Sequence, residues 1–163
     1  MEADSVMRDR ILEMVPQRSP FRFISDILEL DEEHIVGTYQ FRSDEYFYAG
    51  HFPGFPVTPG VILIETMAQT GVVAFGLYLN SLREKGKTQI NDPVTLFTLA
   101  EQVEFRGVVP PGEFVRIVGR KVYFRGNQLK VNCIMTRLDG SEVCSGTLAG
   151  KGVSRDKMTK GEL

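Results

Sequence analysis

The stretch GHFPGFPVTPGVILIETMAQ, residues 50–69, decides how the chain folds and where its chemistry lies. It begins as a loop rich in proline and glycine that carries a histidine, His51, and it continues as an apolar run that contains one carboxylate, Glu65. A carboxylate among apolar residues is costly to bury unless another group pairs with it or the protein uses it. Glu65 is therefore the first candidate for a functional residue.

The apolar run predicts a long helix over residues 59–79. Threonine at position 58 followed by proline at 59 is a common helix start, because threonine caps well and proline is favoured at the first helical position. The helix is apolar nearly all round, which indicates that other elements surround it. Glu65 and Gln69 interrupt the apolar run, so we interpret the segment as a buried helix and not as a membrane span.

The remaining chain indicates a short amphipathic helix and six antiparallel strands. The helix is predicted over residues 5–15, and Pro16 ends it. Alternating β-branched and aromatic residues predict the strands, with turns in which Gly126 and Gly140 take positive φ. The polar segment 81–93 is predicted to be an exposed connection. The predicted strands are residues 23–31, 35–42, 103–109, 114–124, 129–138 and 143–153.

These elements predict an α+β fold in which a curved antiparallel sheet wraps a long central helix. The length of 163 residues fits one domain, which we assign to residues 1–153. Residues 154–163 are predicted to form a disordered polar tail.

Composition and charge narrow the class of protein. The chain is 42% hydrophobic and 25% charged, as globular proteins are, and its formal net charge of −2 disfavours nucleic-acid binding. The two cysteines, Cys133 and Cys144, predict neither a zinc site nor a disulfide framework. The amino terminus lacks the pattern of a signal peptide, so we expect a cytoplasmic protein.

The central stretch brings together three groups that suit acid–base chemistry next to a carbonyl. The Gly60 amide is predicted at the positive end of the helix dipole, where it either binds a polarised oxygen or merely permits close packing. Glu65 and Gln69, at i and i+4, form either a buried structural pair or an acid with a raised pKa. His51 is one of only two histidines; His34 lies in a charged turn and is predicted to be solvated.

Other common catalytic patterns are missing from the sequence. It contains no Gly-x-Ser-x-Gly elbow, no Walker A loop and no GxGxxG fingerprint. No cluster of metal-ligating residues is apparent either. Acid–base work by side chains is the chemistry that the sequence favours.

The segment HFPGFPVTPGVILIETMAQ resembles the signature HFPxxPxxPGVxxxExxAQ of the FabZ-type (3R)-hydroxyacyl-acyl-carrier-protein dehydratases, and every fixed position matches. The flanking segments VPQRSPFRFISDILELD and VEFRGVVPPGEFVRI are also similar to that family, so the resemblance covers roughly residues 11–152. The resemblance implies a hot-dog fold. It also implies a hydro-lyase of fatty-acid or related acyl synthesis, EC 4.2.1.59.

The resemblance implies roles for individual residues. His51 would remove the α-proton, Glu65 would assist loss of the β-hydroxyl, and the Gly60 amide would bind the thioester oxygen. Gln69 would support Glu65 through a hydrogen bond. Val61 and Phe97 are candidates to contact the acyl chain.

The resemblance also implies partners. The substrate is carried on the phosphopantetheine of acyl carrier protein, and no cofactor or metal is expected. A homodimer is implied, commonly assembled as a trimer of dimers, in which His51 of one protomer faces Glu65 of the other. The candidate residues for docking the acidic carrier are the basic side chains Arg106, Arg120, Lys121 and Arg125.

Three positions depart from the family pattern. The family usually has basic residues where Gln102 and Glu104 stand, and it often has histidine where Gln17 stands. These changes leave the His51 and Glu65 pair intact but bear on carrier docking and substrate choice. Three other functions stay open: a dehydratase/isomerase, whose family carries aspartate in place of Glu65; a hot-dog acyl thioesterase; and a non-catalytic acyl-binding partner subunit.

Overall fold

The computed structural model of the protein describes residues 1–84 and 94–161, except for the side chains of residues 156 and 157. The central helix, Gly60–Arg83, has two α-helical parts, α2 and α3, joined by a π-helical segment, Gln69–Ala74. In chain order the elements are α1 (Ser5–Met14), β1 (Asp26–Leu30), β2 (His34–Gln40), α2 (Gly60–Ala68), the π-helical segment, α3 (Phe75–Arg83), β3 (Val94–Phe105), β4 (Phe114–Arg125), β5 (Gln128–Arg137), β6 (Glu142–Val153) and α4 (Arg155–Met158).

The described strands form one antiparallel sheet of six strands in the order β1-β2-β4-β5-β6-β3. Burial alternates along β4 and β5, since one face of each strand meets the core and the other meets solvent. The central helix packs against β2, β4, β5 and β6. The predicted hot-dog architecture, a sheet wrapped around a long helix, is confirmed.

Glycines allow the helix and the sheet to approach closely. A Cβ atom on Gly71 would lie 2.5 Å from Cys133 Sγ, and one on Gly119 would lie 3.0 Å from the Gly71 Cα atom. Both distances are shorter than ordinary van der Waals contact. Glycine at these positions therefore permits the middle of the helix to lie directly on β4 and β5.

The predicted helix start is corrected by one residue. The helix begins at Gly60, Pro59 occupies the capping position, and no side chain caps the helix there. The hydroxyl of Thr58 instead shares a 2.6 Å hydrogen bond with the Tyr48 hydroxyl. Because this hydroxyl is buried against Tyr48, it serves the preceding loop and not the helix end.

The predicted strand over residues 103–109 was wrong in its position. The observed strand β3 begins at Val94 and ends at Phe105, and its pairing with β6 shifts register between Glu101 and Glu104, where Gln102 has a φ of 50°. Such an inserted residue is a β-bulge, which bends the strand. The segment VTLFTL that opens β3 is rich in β-formers, a signal that the prediction overlooked.

The hairpin turns form as predicted, and the end of the described chain is partly helical. Gly126 and Gly140 have φ values of 53° and 84°, as predicted. Most of the predicted connection 81–93 lies outside the described residues. The segment predicted to be a disordered tail contains one helical turn, α4, after Val153. The domain boundary at residue 153 stays a prediction.

Burial identifies the central helix as a core element. It is long and apolar enough to cross a membrane by length and composition, but 78% of its apolar window is buried inside the fold. The core helix of a globular protein has this property. Cys133 and Cys144 are buried and carry free thiols, and burial raises the pKa of each. Both are core residues of the sheet.

Candidate active site

The imidazole of His51 is held by its own loop. His51 Nδ1 lies 2.7 Å from the backbone oxygen of Val57, and the Val57 N–H donates to the His51 oxygen at 2.8 Å. A carbonyl oxygen only accepts hydrogen bonds, so Nδ1 carries the hydrogen and a neutral ring keeps its lone pair on Nε2. The ring stacks on Phe52 with centroids 4.2 Å apart. His51 is thus a half-buried, oriented base.

Polar contacts fix this loop to β2 and to the connection between β3 and β4. The Thr58 N–H donates to the Val109 oxygen at 2.9 Å. The carboxylate of Glu45, only 4% exposed, accepts hydrogen bonds from the Tyr39 hydroxyl and from the Arg42 backbone N–H. A buried carboxylate with two donors is well compensated. The loop that presents His51 is therefore anchored at both of its ends.

The carboxyl group of Glu65 lies in apolar surroundings on α2. Glu65 is half-buried, and its Oε1 accepts a 2.9 Å hydrogen bond from Gln69 Nε2. Burial raises the pKa of Glu65, and the Gln69 hydrogen bond opposes this by lowering it. The raised pKa favours a protonated carboxyl, which is the state that a general acid needs.

Gln69 is completely buried and makes three hydrogen bonds. Its Oε1 accepts from the Phe23 backbone N–H at 2.7 Å, while its Nε2 donates to the Phe21 oxygen at 3.0 Å as well as to Glu65. The loop before β1 therefore locks the amide in one orientation. This orientation presents an N–H to Glu65, as the sequence predicted for the pair.

The Gly60 amide lies at the start of the central helix. Ile62 and Leu63 N–H groups both donate to the Pro59 oxygen, at 2.9 and 3.2 Å, whereas the N–H of Gly60 precedes the first intrahelical bond. A Cβ atom on Gly60 would lie 3.0 Å from the Phe105 ring. Both interpretations of Gly60 therefore have support. Its N–H is a free donor at the helix start, and the absence of a side chain allows the close contact with Phe105.

A small cavity of about 40 Å³ lies beside Glu65. Phe97, predicted to contact the acyl chain, lines it. Val61, the other predicted contact, is 72% exposed on the outside of the helix. His51 is not among the residues that line the cavity, so the described chain does not bring the two catalytic candidates to one pocket. The cavity is lined by Gln17, Glu65, Ala68, Val72, Val73, Thr95 and Phe97.

The predicted carrier-docking residues differ in their surroundings. Arg106 is exposed and pairs with Glu104 and Glu142, the latter at 3.1 Å. Lys121 pairs with Glu33 at 2.8 Å, while Arg120 and Arg125 are exposed on β4. Neighbouring carboxylates therefore reduce the positive charge at two of the four positions. Docking by all four stays a prediction.

His34 is less solvated than the sequence predicted. It begins β2, and its ring nitrogens lie 3.1 Å from Glu29 Oε2 and 3.0 Å from Asp31 Oδ1. The hydrogen bond to Glu29, with help from Asp31, raises the pKa of His34. The ring is half-buried because it bridges β1 to the turn.

The sequence missed the groups that tertiary structure brings to the site. These are the backbone of Phe21 and Phe23 around Gln69, and the Phe105 ring over Gly60. Gln17, noted only as a departure from a family pattern, lines the cavity beside Glu65. Across residues 1–84 and 94–161, no group of three His, Cys, Asp or Glu side chains is arranged to hold a metal ion.

Comparison with known proteins agrees with this fold and identifies the family. The family model of the FabA-like domain matches residues 15–147. The chain is 36% identical over 141 residues to the 3-hydroxyacyl-[acyl-carrier-protein] dehydratase FabZ of Caldicellulosiruptor bescii, covering 86% of this chain and 94% of that protein. It is 39% identical over 142 residues to FabZ of Acidiphilium cryptum, covering 85% and 80%. The chain therefore belongs to the FabA-like family, and within it to the FabZ group.

Solved structures share the fold at low sequence identity. The dehydratase heterocomplex ApeI:P from Xenorhabdus doucetiae matches with a TM-score of 0.74 and 14% identity, covering 92% of this chain and 95% of that chain. A hypothetical thioesterase with coenzyme A from Streptococcus pneumoniae matches with a TM-score of 0.55 and 15% identity, covering 79% and 85%. These likenesses confirm the fold alone.

Proposed function

We propose that this protein removes water from (3R)-hydroxyacyl thioesters of acyl carrier protein and forms trans-2-enoyl thioesters. The observation that carries the proposal is the environment of Glu65, a half-buried carboxyl with a raised pKa, oriented by the buried amide of Gln69. The FabZ relatives, at 36% and 39% identity, carry the name of this activity. A protonated acid beside an apolar cavity suits the loss of a hydroxyl group from an acyl chain.

The reaction divides between a base and an acid. The lone pair on His51 Nε2 takes the proton from the carbon next to the thioester, because Nδ1 is committed to the Val57 oxygen. The electron pair of that C–H bond forms the double bond as the C–O bond at the β-carbon breaks. Glu65 gives its proton to the leaving oxygen, so the products are water, a protonated histidine and a carboxylate.

The Gly60 amide is proposed to bind the thioester oxygen. Negative charge develops on that oxygen as the α-proton leaves, and an N–H at a helix start stabilises it. Glycine suits this role because the Phe105 ring already occupies the space beside it. The acyl chain itself is proposed to lie against Val61 and Phe97.

The substrate is proposed to arrive on acyl carrier protein, with no further cofactor. His51 and Glu65 supply both proton transfers, so the proposed reaction requires no metal or redox group. Arg106, Arg120, Lys121 and Arg125 are the proposed contacts for the acidic carrier. We place the reaction in the cytoplasm, in fatty-acid or related acyl synthesis.

We propose a homodimer with the active sites at the interface, assembled further into a trimer of dimers. Large apolar side chains are exposed around the histidine loop and the helix start: Phe52 is 54% exposed, Phe55 71% and Val61 72%. A group of such residues favours a protein interface. A second protomer would also bring a His51 toward each Glu65 cavity.

The test is turnover of hydroxyacyl-carrier substrates by His51→Ala and Glu65→Gln variants. Each variant is expected to lose about 10²–10⁴-fold in kcat, which is the usual contribution of a general acid or base. The matched controls are His34→Asn and Glu101→Gln, which alter exposed or half-buried groups on β2 and β3. Near-normal turnover by His51→Ala or Glu65→Gln would contradict the proposal.

The same assay separates the alternative functions by product. Absorbance of the enoyl thioester reports dehydration, and release of free thiol without an enoyl product would identify a thioesterase. A shifted double bond in the product would identify an additional isomerase activity. Carrier binding without turnover would identify a non-catalytic partner subunit.

A further inference from the structure

The cavity beside Glu65 is small and mostly apolar. It lies where the central helix faces the start of β3, and its walls include Ala68, Val72, Thr95 and Phe97. Its volume is about 40 Å³. A water molecule needs about 10–15 Å³ of such a cavity, and a methylene group is about as large. The cavity therefore has room for about three carbon atoms of an acyl chain.

The side chains of Val72 and Thr95 close this cavity on the side of β6. A Cβ atom on Gly150, in β6, would lie 2.4 Å from Val72 Cγ1 and 2.9 Å from Thr95 Cγ2. The separation of the two methyl carbons is at most the sum of these distances, 5.3 Å. An acyl carbon that passed between them would have to stay about 3.5–4.0 Å from each. The gap is too narrow, so an acyl chain that enters beside Glu65 cannot continue between Val72 and Thr95.

Packing holds both side chains in place. Val72 lies in the π-helical segment and is only 1% exposed. Thr95 pairs with Gly152 in the ladder between β3 and β6, next to the pair of Phe97 and Gly150. A packed side chain of a helix or a strand yields to a ligand only at a cost in packing. Both residues belong to the same chain, so a second protomer that covers the exposed Phe97 ring leaves this closed side unchanged.

We propose that Val72 and Thr95 restrict this protein to short hydroxyacyl substrates, of about four to six carbon atoms. This inference rests on the proposed dehydratase function. Glu65 protonates the hydroxyl group on the β-carbon, the third carbon of the chain, so the carbons that enter the cavity are those beyond it. Room for about three of them gives a limit of about six carbons. A longer chain has to leave its last carbons in water or displace Val72.

Turnover of hydroxyacyl-carrier thioesters of four, six, eight and ten carbon atoms tests this limit. In the original chain, kcat/KM is expected to rise about fourfold for each methylene group up to about six carbons, because each one leaves water for an apolar cavity. Beyond that length, kcat/KM is expected to stay level or to fall. The length at which the rise stops is the quantity to compare between variants.

Val72→Ala removes the methyl group that lies near Thr95 and deepens the cavity toward Gly150. The rise is then expected to continue to about eight carbons, so that kcat/KM for the eight-carbon substrate improves by about tenfold. Thr95→Ser is a second, smaller change, because it removes Cγ2 and keeps the hydroxyl group. It is expected to improve kcat/KM for the eight-carbon substrate by about fourfold.

Val115→Ala is the matched control. Val115 lies on β4, is as completely buried as Val72, and is not among the residues that line the cavity. Its truncation removes the same two methyl groups from the core. The rise in kcat/KM should still stop at about six carbons in this variant.

A limit at about six carbons that moves in Val72→Ala and Thr95→Ser, but not in Val115→Ala, supports the proposal. A rise that continues to ten carbons in the original chain overturns it, and so does an unchanged limit in either cavity variant that folds. A limit that also moves in Val115→Ala overturns it, because general loosening of the core would account for the change. If the original chain dehydrates none of the thioesters, the proposed function fails and this inference falls with it.

Discussion

At the scale of single residues, two opposing effects set the pKa of Glu65, the proposed acid. Burial of Glu65 disfavours its charged form and raises its pKa, while the N–H of Gln69 stabilises the carboxylate and lowers it. The net shift is upward, so the proton is retained at a pH where an exposed glutamate has lost it. Gln69 limits the size of this shift and fixes the direction of the carboxyl group.

Turnover is expected to depend on pH through Glu65. The rate of dehydration is expected to fall as pH rises through the raised pKa of Glu65, because the carboxylate has no proton to give. Gln69→Met removes the hydrogen bond that lowers this pKa, so the fall should move to higher pH. Measurement of kcat between pH 5 and pH 10 checks both statements. If kcat of Gln69→Met fell at the same pH as that of the original protein, or at a lower pH, the assignment of Glu65 as the general acid would be contradicted.

Gln69→Met should also destabilise the fold. It leaves the Phe23 N–H and the Phe21 oxygen without their buried partner. Each unpaired group is expected to lower the free energy of unfolding by about 1–3 kcal/mol. Urea denaturation of both proteins measures the difference. A loss below about 1 kcal/mol would show that water replaces the amide.

Glu65 links proton binding to stability. Its pKa is higher in the folded state than in the unfolded chain, so folding binds the proton more tightly. Its contribution is fully present below the unfolded pKa of about 4.3 and is lost as pH rises through the folded pKa. Glu65→Gln cannot titrate. Relative to the original protein, the variant should gain stability as pH rises, and urea denaturation from pH 4 to pH 9 measures the gain. A difference in free energy of unfolding that stays constant with pH would contradict the raised pKa of Glu65.

At the scale of elements, the contact of the central helix with the sheet depends on which glycine faces which strand. Gly71 and Gly76 lie in the same helix, but a Cβ atom on Gly71 would be 2.5 Å from Cys133 Sγ, whereas on Gly76 the nearest atom would be 3.8 Å away, on Leu129. Helix propensity favours alanine over glycine at both positions by about 0.5–1 kcal/mol. Packing therefore decides whether a glycine-to-alanine substitution raises or lowers the free energy of unfolding.

Gly71→Ala is expected to lower the free energy of unfolding by about 1–3 kcal/mol, because the new methyl group forces the helix away from β5. Gly76→Ala is the matched control and should raise the free energy of unfolding by about 0.5–1 kcal/mol. Thermal and urea unfolding of the two variants provide the comparison. Equal changes in both would mean that the helix does not press on the sheet at Gly71.

The elements that the sequence predicted well are those whose signal is local. The hairpin glycines Gly126 and Gly140, the alternation along β4 and β5, and the apolar central helix each lie in a short window. Strand β3 was misplaced because it is an edge strand with a bulge at Gln102 and with large exposed residues such as Phe97. Its burial pattern lacks the alternation that locates a half-buried strand.

At the scale of the whole molecule, some residues of the candidate site can be predicted from their spacing in the sequence. The surroundings of those residues form only when distant parts of the chain fold together. His51, Glu65 and Gln69 were predicted as site residues because they share one short segment with a recognisable order. The sequence did not indicate that the Gln17 side-chain oxygen is buried with no hydrogen-bond partner among the described residues, since burial of that atom depends on a loop far from Glu65 in the chain. Sequence reveals candidate groups, whereas their environment depends on tertiary packing.

The proposed dimer has a consequence that mixing inactive variants can measure. If His51 of one protomer serves Glu65 of the other, a mixed dimer of His51→Ala and Glu65→Gln chains contains one complete site and one site with both defects. Random exchange of equal amounts makes about half of the dimers mixed, so about a quarter of the original activity should return. Each variant alone lacks a complete site in every dimer.

The experiment unfolds the two variants together in urea, refolds them by dilution and compares turnover with that of each variant refolded alone. Size-exclusion chromatography verifies that every sample forms the same assembly. If both groups of a site came from one protomer, the mixture would be as inactive as its components, because no chain carries an intact pair. The exposed apolar surface of Phe52, Phe55 and Val61 favours the shared site, since a partner that covers this surface lies against both the histidine loop and the helix that carries Glu65.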